Sequence, residues 1–184
     1  VAASGKTEIY RRAISAALAQ GRGALLLVPE IGLTPQMEDR LRGWFGEALE
    51  IWHSEMSDGE RWRVWRRVQE GIARVIVGPR SALFLPMTPL GVVVIDEEHD
   101  ASYKQDNTPH YHARETAEEK ARLNGAVLIL GSATPSLETH RRSESGDLTR
   151  IVLSRRVENR PFPAVRLVDM RKEGWYFSDA LVAA

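Results

Sequence analysis

The stretch VVVIDEEH, at residues 92–99, joins four apolar residues to four polar ones, of which three are acidic. Its continuous apolar half predicts a strand that is buried on both faces of a parallel sheet. Acidic groups at the end of such a strand are costly to bury unless cations or hydrogen-bond donors meet them. Open α/β sheets bind their ligands at the carboxyl ends of their strands. The stretch therefore predicts a parallel sheet with a functional site at that edge.

Other short apolar runs lie on both sides of this stretch and predict the remaining strands, at residues 24–28, 49–52, 74–77 and 126–130. The segments between the runs carry helix start and stop signals. They predict helices at residues 36–45, from the capping box 57–60 to residue 68, at residues 110–124, and after a cap at residues 134–136. This alternation predicts an α/β fold in which helices sandwich a mostly parallel sheet.

Three apolar residues of the second predicted helix, Trp62, Trp65 and Val68, recur at helical spacing. We expect them to contact the core rather than to form a platform for nucleic-acid bases. The arginines around them are typical of a solvated helix face.

The composition is that of an ordinary globular protein. The chain has 184 residues, of which 43% are hydrophobic, with 25 basic and 25 acidic side chains and no cysteine. Without cysteine, neither a disulfide framework nor a thiolate zinc site can form in this stretch. No apolar run approaches the roughly 18 residues that span a bilayer, so we expect a cytoplasmic protein without a membrane partner. The balanced charge weighs against a dedicated nucleic-acid-binding domain but allows a strand to bind along a local face.

The chain opens on VAASGKT, which matches all but the first glycine of the phosphate-binding pattern G-x-x-x-x-G-K-S/T. In that pattern the backbone of Ala3, Ser4 and Gly5 would cradle phosphates. Lys6 would reach the β and γ phosphates of ATP, and the Thr7 hydroxyl would hold Mg²⁺. Read alone, Gly-Lys-Thr also fits a helix start with an exposed lysine.

The acidic end of the central run supplies the partners that such a loop needs. Asp96 would hold Mg²⁺ through water opposite Thr7, and Glu97 would orient and deprotonate the attacking water. The alternative is an acidic cap at a strand-to-helix turn, which Lys6 and Thr7 on the same chain disfavour. We therefore expect Lys6, Asp96 and Glu97 to form the catalytic set.

Three more polar loops follow predicted strands, at residues 29–35, 78–81 and 131–135. Each loop alone is compatible with a plain strand-to-helix turn. Because the strands of a parallel sheet end at one edge, we expect the loops to converge on the same site.

These loops resemble the motifs of superfamily 2 helicases of the DEAD/DEAH kind, with motif I at residues 4–7, Ia at 29–35, Ib at 78–81, II at 96–99 and III at 132–134. Longer strings cover nearly the whole chain and resemble the primosomal protein N′ (PriA) family of replication-restart helicases: LVPEIGLTPQ, HSEMSDGER, VGPRSALFLP, VIDEEHDASYKQ, YHARETA, GSATPSLET and RPFPAVRLVDMRKE.

The resemblance implies a RecA-like P-loop NTPase domain that is the motor lobe of an ATP-dependent 3′→5′ DNA helicase. Its ligands would be ATP and Mg²⁺, and its partners would be single-stranded or forked DNA, primosome proteins and single-strand-binding proteins. Residues 1–150 would form the ATP-binding lobe. Residues 151–184 would form a linker, with a strand at 165–168 and a helix from 178, that leads to a zinc-binding region and the second helicase lobe. We expect truncation at both ends, zinc only outside this chain, and activity only within a larger protein.

The resemblance also implies roles for single residues. Glu97 would be the catalytic base, and His99, Ser132 and Thr134 would couple hydrolysis to motion. Residues 103–114 resemble the family's aromatic-rich loop, which senses single-stranded DNA and couples its binding to ATP hydrolysis. They mix stacking faces with cations, as strand binding requires. Ordinary packing is the alternative for the tyrosines. The expected DNA contacts are Thr34, Arg80, Ser81, Tyr103, Lys104, Tyr111 and Arg114.

Two residues depart from the family's usual pattern, since Ala3 replaces a glycine and Pro79 a threonine. Ala3 fits the loop only with φ below zero. Pro79 lacks a backbone N–H, which removes one possible contact to a DNA phosphate.

Two other functions remain compatible with the motifs: a non-catalytic module that binds DNA or a partner, and a translocase that moves on duplex DNA without separating its strands.

Overall fold

The computed structural model describes residues 5–29 and 32–154. Within these ranges the helices are α1 (Lys6–Ala19), α2 (Pro35–Phe45), α3 (Asp58–Gln69), α4 (Ala113–Asn124) and α5 (Leu137–Glu144). The strands are β1 (Gly23–Leu27), β2 (Leu49–Ile51), β3 (Val75–Gly78), β4 (Leu90–Asp96), β5 (Lys104–Gln105), β6 (Tyr111–His112) and β7 (Val127–Gly131). Short 3-10 helices lie at Gly46–Ala48, Arg80–Phe84 and Ala101–Tyr103.

Five of the strands form one parallel sheet in the order β2-β3-β1-β4-β7. β4 lies between β1 and β7, and its register pairs Ile95 with Leu27 and Asp96 with Gly131. A separate antiparallel ribbon joins β5 to β6. The predicted α/β fold with a mostly parallel sheet is confirmed.

Helices cover both faces of the sheet. On one face, Ile14 of α1 packs in a cluster with Leu26 of β1, and on the other face Val68 of α3 and Ala117 of α4 pack in a cluster with Leu25. Successive strand residues point to opposite faces, and here both faces are buried. This is why the strands appear in the sequence as continuous apolar runs rather than as alternating ones, and it confirms the predicted sandwich.

Three helices begin at the caps that the sequence predicts. At the start of α5 the Ser136 hydroxyl accepts a hydrogen bond from the backbone N–H of Thr139. The Thr34 hydroxyl accepts a hydrogen bond from the backbone N–H of Met37, with proline at the first helical position of α2. Ser57 and Glu60 form the reciprocal capping box of α3. Each cap satisfies backbone N–H groups that have no partner inside the helix.

The next helix, α4, begins at Ala113 and not at residue 110 as predicted. Tyr111 and His112 pair with β5 in the ribbon, and the His112 ring accepts a hydrogen bond from the backbone N–H of Arg114. The strand pairing keeps residues 111 and 112 extended, so the helix starts after them.

The prediction that Trp62 contacts the core is wrong, because its side chain is 60% exposed. α3 buries Val64 and Val68 instead. Trp62 precedes Val64 by two residues and therefore lies on the other side of the helix. Its ring stacks on Trp65, with centroids 5.4 Å apart, and Trp65 is partly buried against the core.

The strand and helix predicted beyond residue 154 lie outside the described residues, and the domain boundary at residue 150 remains a prediction. No helix in the described part of the chain is long and apolar enough to cross a bilayer.

Candidate active site

The carboxyl ends of the central strands meet at one edge of the sheet, beside a cleft of about 440 Å³. Thr7 from the start of α1 and Asp96 and Glu97 from the end of β4 line this cleft. Thr34 and Arg40 line it from the side of α2. The fold thus brings Thr7, Asp96 and Glu97, three of the predicted metal and catalytic residues, to one concave surface.

α1 begins at the predicted phosphate loop. Gly5 caps the helix with a φ of 90°, a backbone conformation that favours glycine. Lys6 is the first helical residue, and its ammonium lies 2.5 Å from Glu97 Oε1 and 3.4 Å from Asp96 Oδ1. The three residues predicted to be catalytic are therefore in contact. Ala3 and Ser4 lie outside the described residues.

Tyr10 is a site residue that the sequence analysis missed. Its hydroxyl donates a 2.8 Å hydrogen bond to Asp96 Oδ1. Burial raises the pKa of the Tyr10 hydroxyl above its ordinary range, and the neighbouring Asp96 carboxylate adds to this effect, so the hydroxyl stays protonated as a donor. Tyr10 follows Lys6 by four residues and therefore shares its helix face, which is the signal that could have revealed it.

Glu97 has a φ of 46°, in the left-handed region that few residues other than glycine adopt. Such a conformation costs about 1–3 kcal/mol and persists only where the surroundings hold it. Two backbone hydrogen bonds do so here, from the Glu98 N–H to the Gly131 carbonyl and from the Asp100 N–H to the Glu97 carbonyl. Backbone strain of this kind is concentrated at functional sites.

His99 connects the acidic turn to the loop after β7. Its Nδ1 lies 2.7 Å from the Ser132 hydroxyl and 3.7 Å from Glu97 Oε2, and its Nε2 lies 3.4 Å from the Thr134 hydroxyl. The Ser132 hydroxyl also accepts a hydrogen bond from the Thr134 backbone N–H. The three residues predicted to couple hydrolysis to motion are thus joined to one another and to Glu97.

Glu98 was given no role by the sequence analysis, yet it is one of the most buried polar residues, with 1% of its surface exposed. Its carboxylate accepts hydrogen bonds from Arg114, from the hydroxyl and backbone N–H of Ser136, and from the Thr139 hydroxyl. Burial alone would raise the pKa of Glu98, but these hydrogen bonds outweigh it and hold the pKa below its ordinary value. The residue is therefore a buried, ionised and fully bonded carboxylate.

Some of the residues predicted to contact DNA share one surface. Arg80 donates hydrogen bonds to the backbone carbonyls of Ser102 and Lys104 at the start of the ribbon. Lys104 itself is largely exposed and pairs with Asp106. Tyr111 packs edge-to-face on the exposed Phe84, with ring centroids 5.2 Å apart. This surface offers aromatic rings and cations to solvent.

Ser81 and Thr34 already bond to other groups of the chain. The Ser81 hydroxyl accepts a 3.0 Å hydrogen bond from the Trp52 indole, and the Thr34 hydroxyl caps α2. Pro79 precedes the 3-10 helix that carries Arg80 and Ser81, at the position of its N-terminal cap.

The structure does not bring Tyr103 and Arg114 to that surface. Tyr103 is 1% exposed, and its hydroxyl donates a 2.7 Å hydrogen bond to the Asp96 carbonyl. Arg114 bonds to Glu98, and its side chain is 15% exposed. Neither side chain is placed for stacking on a base or pairing with a phosphate in this conformation.

The donor set at the cleft suits Mg²⁺. The Thr7 hydroxyl and the Asp96 carboxylate both supply oxygen atoms, which Mg²⁺ prefers. Mg²⁺ in nucleotide sites is typically held by one or two protein oxygens together with phosphates and waters. Among residues 5–29 and 32–154, no three or more His, Asp or Glu side chains form a protein-only metal cluster.

The sequence profile of the DEAD/DEAH box helicase family matches residues 1–143. The chain belongs to the DEAD/DEAH box helicase family. The resemblance to DEAD/DEAH helicases found in the motifs is thereby confirmed, and the acidic turn of residues 96–99 lies at the sheet edge that the motifs predict.

Two curated proteins to which the chain is similar are replication restart proteins. The chain is 47% identical over 173 residues to replication restart protein PriA of Bacillus subtilis, covering 94% of this chain and 22% of that protein. It is 47% identical over 178 residues to the PriA of Synechocystis, covering 94% of this chain and 21% of that protein. The chain thus spans about a fifth of the length of these relatives. Among solved structures, the C-terminal domain of S. cerevisiae Dbp5 is 16% identical with a TM-score of 0.48, covering 80% of this chain and 85% of that one.

Proposed function

We propose that this chain is the ATP-binding and ATP-hydrolysing motor lobe of a 3′→5′ DNA helicase that acts in replication restart. The contact of Lys6 with Glu97 and Asp96, at the edge of the cleft that Thr7 also lines, carries this proposal. The family membership and the PriA relatives support it. Forked or single-stranded DNA, primosome proteins, single-strand-binding proteins and a cytoplasmic location belong to the same proposal.

Lys6, Thr7, Asp96 and Glu97 each have a defined task in this proposal. Thr7 and Asp96 would hold Mg²⁺, and bound ATP supplies the γ phosphoryl group that is transferred to water. Lys6 neutralises charge on the phosphates, and Glu97 orients the attacking water and accepts its proton. Lys6 would exchange its contact with Glu97 for phosphate oxygens, which frees the Glu97 carboxylate to act as a base.

We call His99, Ser132 and Thr134 the coupling set, because they would transmit the structural change on ATP hydrolysis to the rest of the motor. His99 touches Glu97 on one side and Ser132 and Thr134 on the other. A change in the charge around Glu97 would therefore alter the hydrogen bonds that hold the loop after β7.

The proposed DNA contacts are those that lie on the surface formed by the ribbon and the 3-10 helix of residues 80–84. Tyr111 and the exposed Phe84 offer rings on which bases can stack, and Lys104 offers a cation. Arg80, Ser81 and Thr34 remain proposed contacts at the loops after β3 and β1. Tyr103 and Arg114 have other partners, and we assign them to holding the site.

The decisive test is removal of the Lys6 ammonium in the full-length protein. Lys6→Ala should lower ATP turnover by about 10²–10³-fold, because one preorganised donor to the transferred phosphate is lost. Arg12→Ala is the matched control, since Arg12 lies on the same helix, is largely exposed and bonds only to Glu8 among the described residues. Turnover that is equal in both variants would overturn the proposal.

Two further readouts separate the alternative functions. A non-catalytic module would bind DNA but would show no Mg²⁺-dependent binding of ATP in a nucleotide titration. A duplex translocase would hydrolyse ATP but would fail to displace a strand from either 3′-tailed or 5′-tailed forks. We expect displacement to depend on the 3′ tail. We also expect the isolated 184-residue chain to turn over little ATP without the arginine of a second lobe, because an arginine finger in comparable phosphoryl-transfer systems is worth about 10³–10⁵ in rate.

A further inference from the structure

The 3-10 helix Arg80–Phe84 has a buried side and an exposed side. Leu83 and the following Leu85 have at most 4% of their surface exposed, whereas Phe84 is 60% exposed. Ser81 is exposed as well. Residues three apart lie above one another in a 3-10 helix, so Ser81 and Phe84 share one face. The helix therefore presents the Phe84 ring to solvent beside the loop that follows β3.

The C-terminal end of this short helix lacks a backbone donor. In a continued 3-10 helix the Leu83 carbonyl would accept a hydrogen bond from residue 86, but Pro86 has no N–H. The next N–H along the chain, that of Met87, donates to the Leu85 carbonyl instead. A buried carbonyl without a donor is unfavourable, so this end of the helix needs a donor from elsewhere in the fold.

Lys120 of α4 supplies that donor. Its ammonium donates hydrogen bonds to the Leu83 carbonyl at 2.6 Å and to the Leu85 carbonyl at 2.9 Å. Burial lowers the pKa of the Lys120 ammonium, and no carboxylate of the described residues counteracts this shift. The two carbonyls are therefore the groups that stabilise the cation, as expected where a helix ends in unpaired carbonyls.

α4 gives this contact a firm support. Ala117 and Ala121, which lie close to Lys120 along the helix, are 0% and 3% exposed and pack in one cluster with Leu83 and Leu85. Apolar packing is non-directional and by itself allows a short helix to shift. Hydrogen bonds are directional, so the two bonds from Lys120 fix the orientation in which the 3-10 helix packs on α4.

We propose that Lys120 is a positioning residue for DNA binding, which fixes the C-terminal end of the 3-10 helix and so holds the exposed Phe84 ring in place to stack on a base of a single strand. The inference rests on the function proposed above, because Phe84 belongs to the proposed DNA surface. Stacking depends on the orientation of the ring, so a shift of the helix weakens it. Lys120 acts through Phe84 and itself makes no contact with DNA.

The test measures the affinity of the full-length protein for a labelled single-stranded oligonucleotide by fluorescence anisotropy. Phe84→Ala removes the ring, and Lys120→Met keeps most of the alkyl stem but removes the ammonium. We expect each variant to weaken binding at least about 5-fold, the smallest loss that removal of one stacked base causes. Binding of ATP with Mg²⁺ should stay within about two-fold of wild type, because it occurs at a separate site.

The double variant distinguishes positioning from a direct contact with a DNA phosphate. If Lys120 acts through Phe84, adding Lys120→Met to Phe84→Ala should weaken binding by no more than about two-fold further. If the ammonium bound a phosphate, the two losses would add. Lys120→Arg should retain the affinity, because a guanidinium also donates to carbonyls. If Lys120→Met does not fold, Lys120→Gln, which is uncharged and one atom shorter, decides by the same criteria.

Arg22→Met is the matched control. The Arg22 guanidinium donates hydrogen bonds to the carbonyls of Leu90 and Asn124, each at 2.6 Å, so it too is a cation that bonds to two backbone carbonyls. It lies at the amino ends of β1 and β4, whereas the 3-10 helix follows the carboxyl end of β3. Its loss should lower the free energy of unfolding but leave the affinity for DNA within about two-fold of wild type.

The inference would be overturned by wild-type affinity in Lys120→Met or Phe84→Ala, or by losses that add in the double variant. An equal loss of affinity in Arg22→Met or in Lys120→Arg would also overturn it, as would a parallel loss of ATP binding. Wild-type protein that does not bind the oligonucleotide would instead count against the proposed function, so the two failures are distinguishable.

Discussion

At the scale of single residues, three consecutive carboxylates at the end of β4 have three different surroundings. Asp96 accepts a hydrogen bond from the buried Tyr10 hydroxyl. Glu97 contacts the Lys6 ammonium and has a left-handed backbone. Glu98 is buried and bonded to groups of α4 and α5. Asp96 and Glu97 line the cleft, whereas Glu98 ties the turn to the helices behind it.

The sequence predicted the acidic site but not the separate role of Glu98. The local sequence Asp-Glu-Glu does not distinguish the second glutamate from the first. The hydrogen-bond partners that make Glu98 different lie 16 to 41 residues further along the chain, so the local sequence does not reveal them. Tyr103 and Arg114 were likewise interpreted from local composition, which indicates aromatic and cationic character but not the buried partners that each side chain meets in the fold.

Glu98 should make the stability of the 184-residue chain depend on pH. The fold holds the pKa of Glu98 below its ordinary value. Its contribution to the free energy of unfolding is therefore fully present above the pKa of about 4.3 that the group has in the unfolded chain, and it is lost as pH falls through the lower pKa of the folded chain. Glu98→Gln removes this titration. We expect the free energy of unfolding to fall less steeply below about pH 4.3 in Glu98→Gln than in wild type. Urea denaturation between neutral and acidic pH measures how the free energy of unfolding changes with pH in both proteins, and parallel slopes would contradict a lowered pKa of Glu98 in the folded state.

At the scale of elements, the end of β7 fits closely against α1. A Cβ placed on Gly131 would overlap the Tyr10 hydroxyl, and Gly131 pairs with Asp96 in the sheet. The contact places Tyr10 beside the Asp96 carboxylate, so packing between two elements fixes a hydrogen bond of the site.

Gly131→Ala should therefore lower the free energy of unfolding by about 1–3 kcal/mol, as overpacking of a filled interior does. Gly43→Ala is the matched control, because Gly43 lies within α2 and a Cβ there would meet open space. It should raise the free energy of unfolding by about 0.5–1 kcal/mol, since alanine is the better helix former. Denaturant midpoints of the 184-residue chain measure both changes, and equal effects of the two substitutions would refute the close fit at Gly131.

The elements were predictable where the pattern is local. The apolar runs predicted the five strands of the sheet, and the caps at Thr34, Ser57 and Ser136 predicted the starts of three helices. The late start of α4 was missed because a partner strand holds residues 111 and 112 extended. The exposure of Trp62 was missed because spacing of three residues does not reveal which side of a helix faces the sheet.

At the scale of the whole molecule, the parallel sheet gathers distant segments into one site. Lys6 and Glu97 are 91 residues apart and meet because α1 precedes β1 and β4 pairs directly with β1. The loops after the strands then place the coupling set and the proposed DNA surface around this contact. The proposed motor function depends on this arrangement and not on any single motif.

Replacement of the Glu97 carboxylate by an amide tests the central claim most directly. In the full-length protein, Glu97→Gln should lower DNA-stimulated ATP turnover by about 10²–10⁴-fold, because the general base is lost. Binding of ATP with Mg²⁺ should persist, since Lys6, Thr7 and Asp96 remain. Glu119→Gln is the control, because Glu119 is exposed on α4 and bonds to Arg122 alone among the described residues. Turnover by Glu97→Gln that matches the control, with ATP bound in both, would contradict the assignment of Glu97 as the base and of this cleft as the site of hydrolysis.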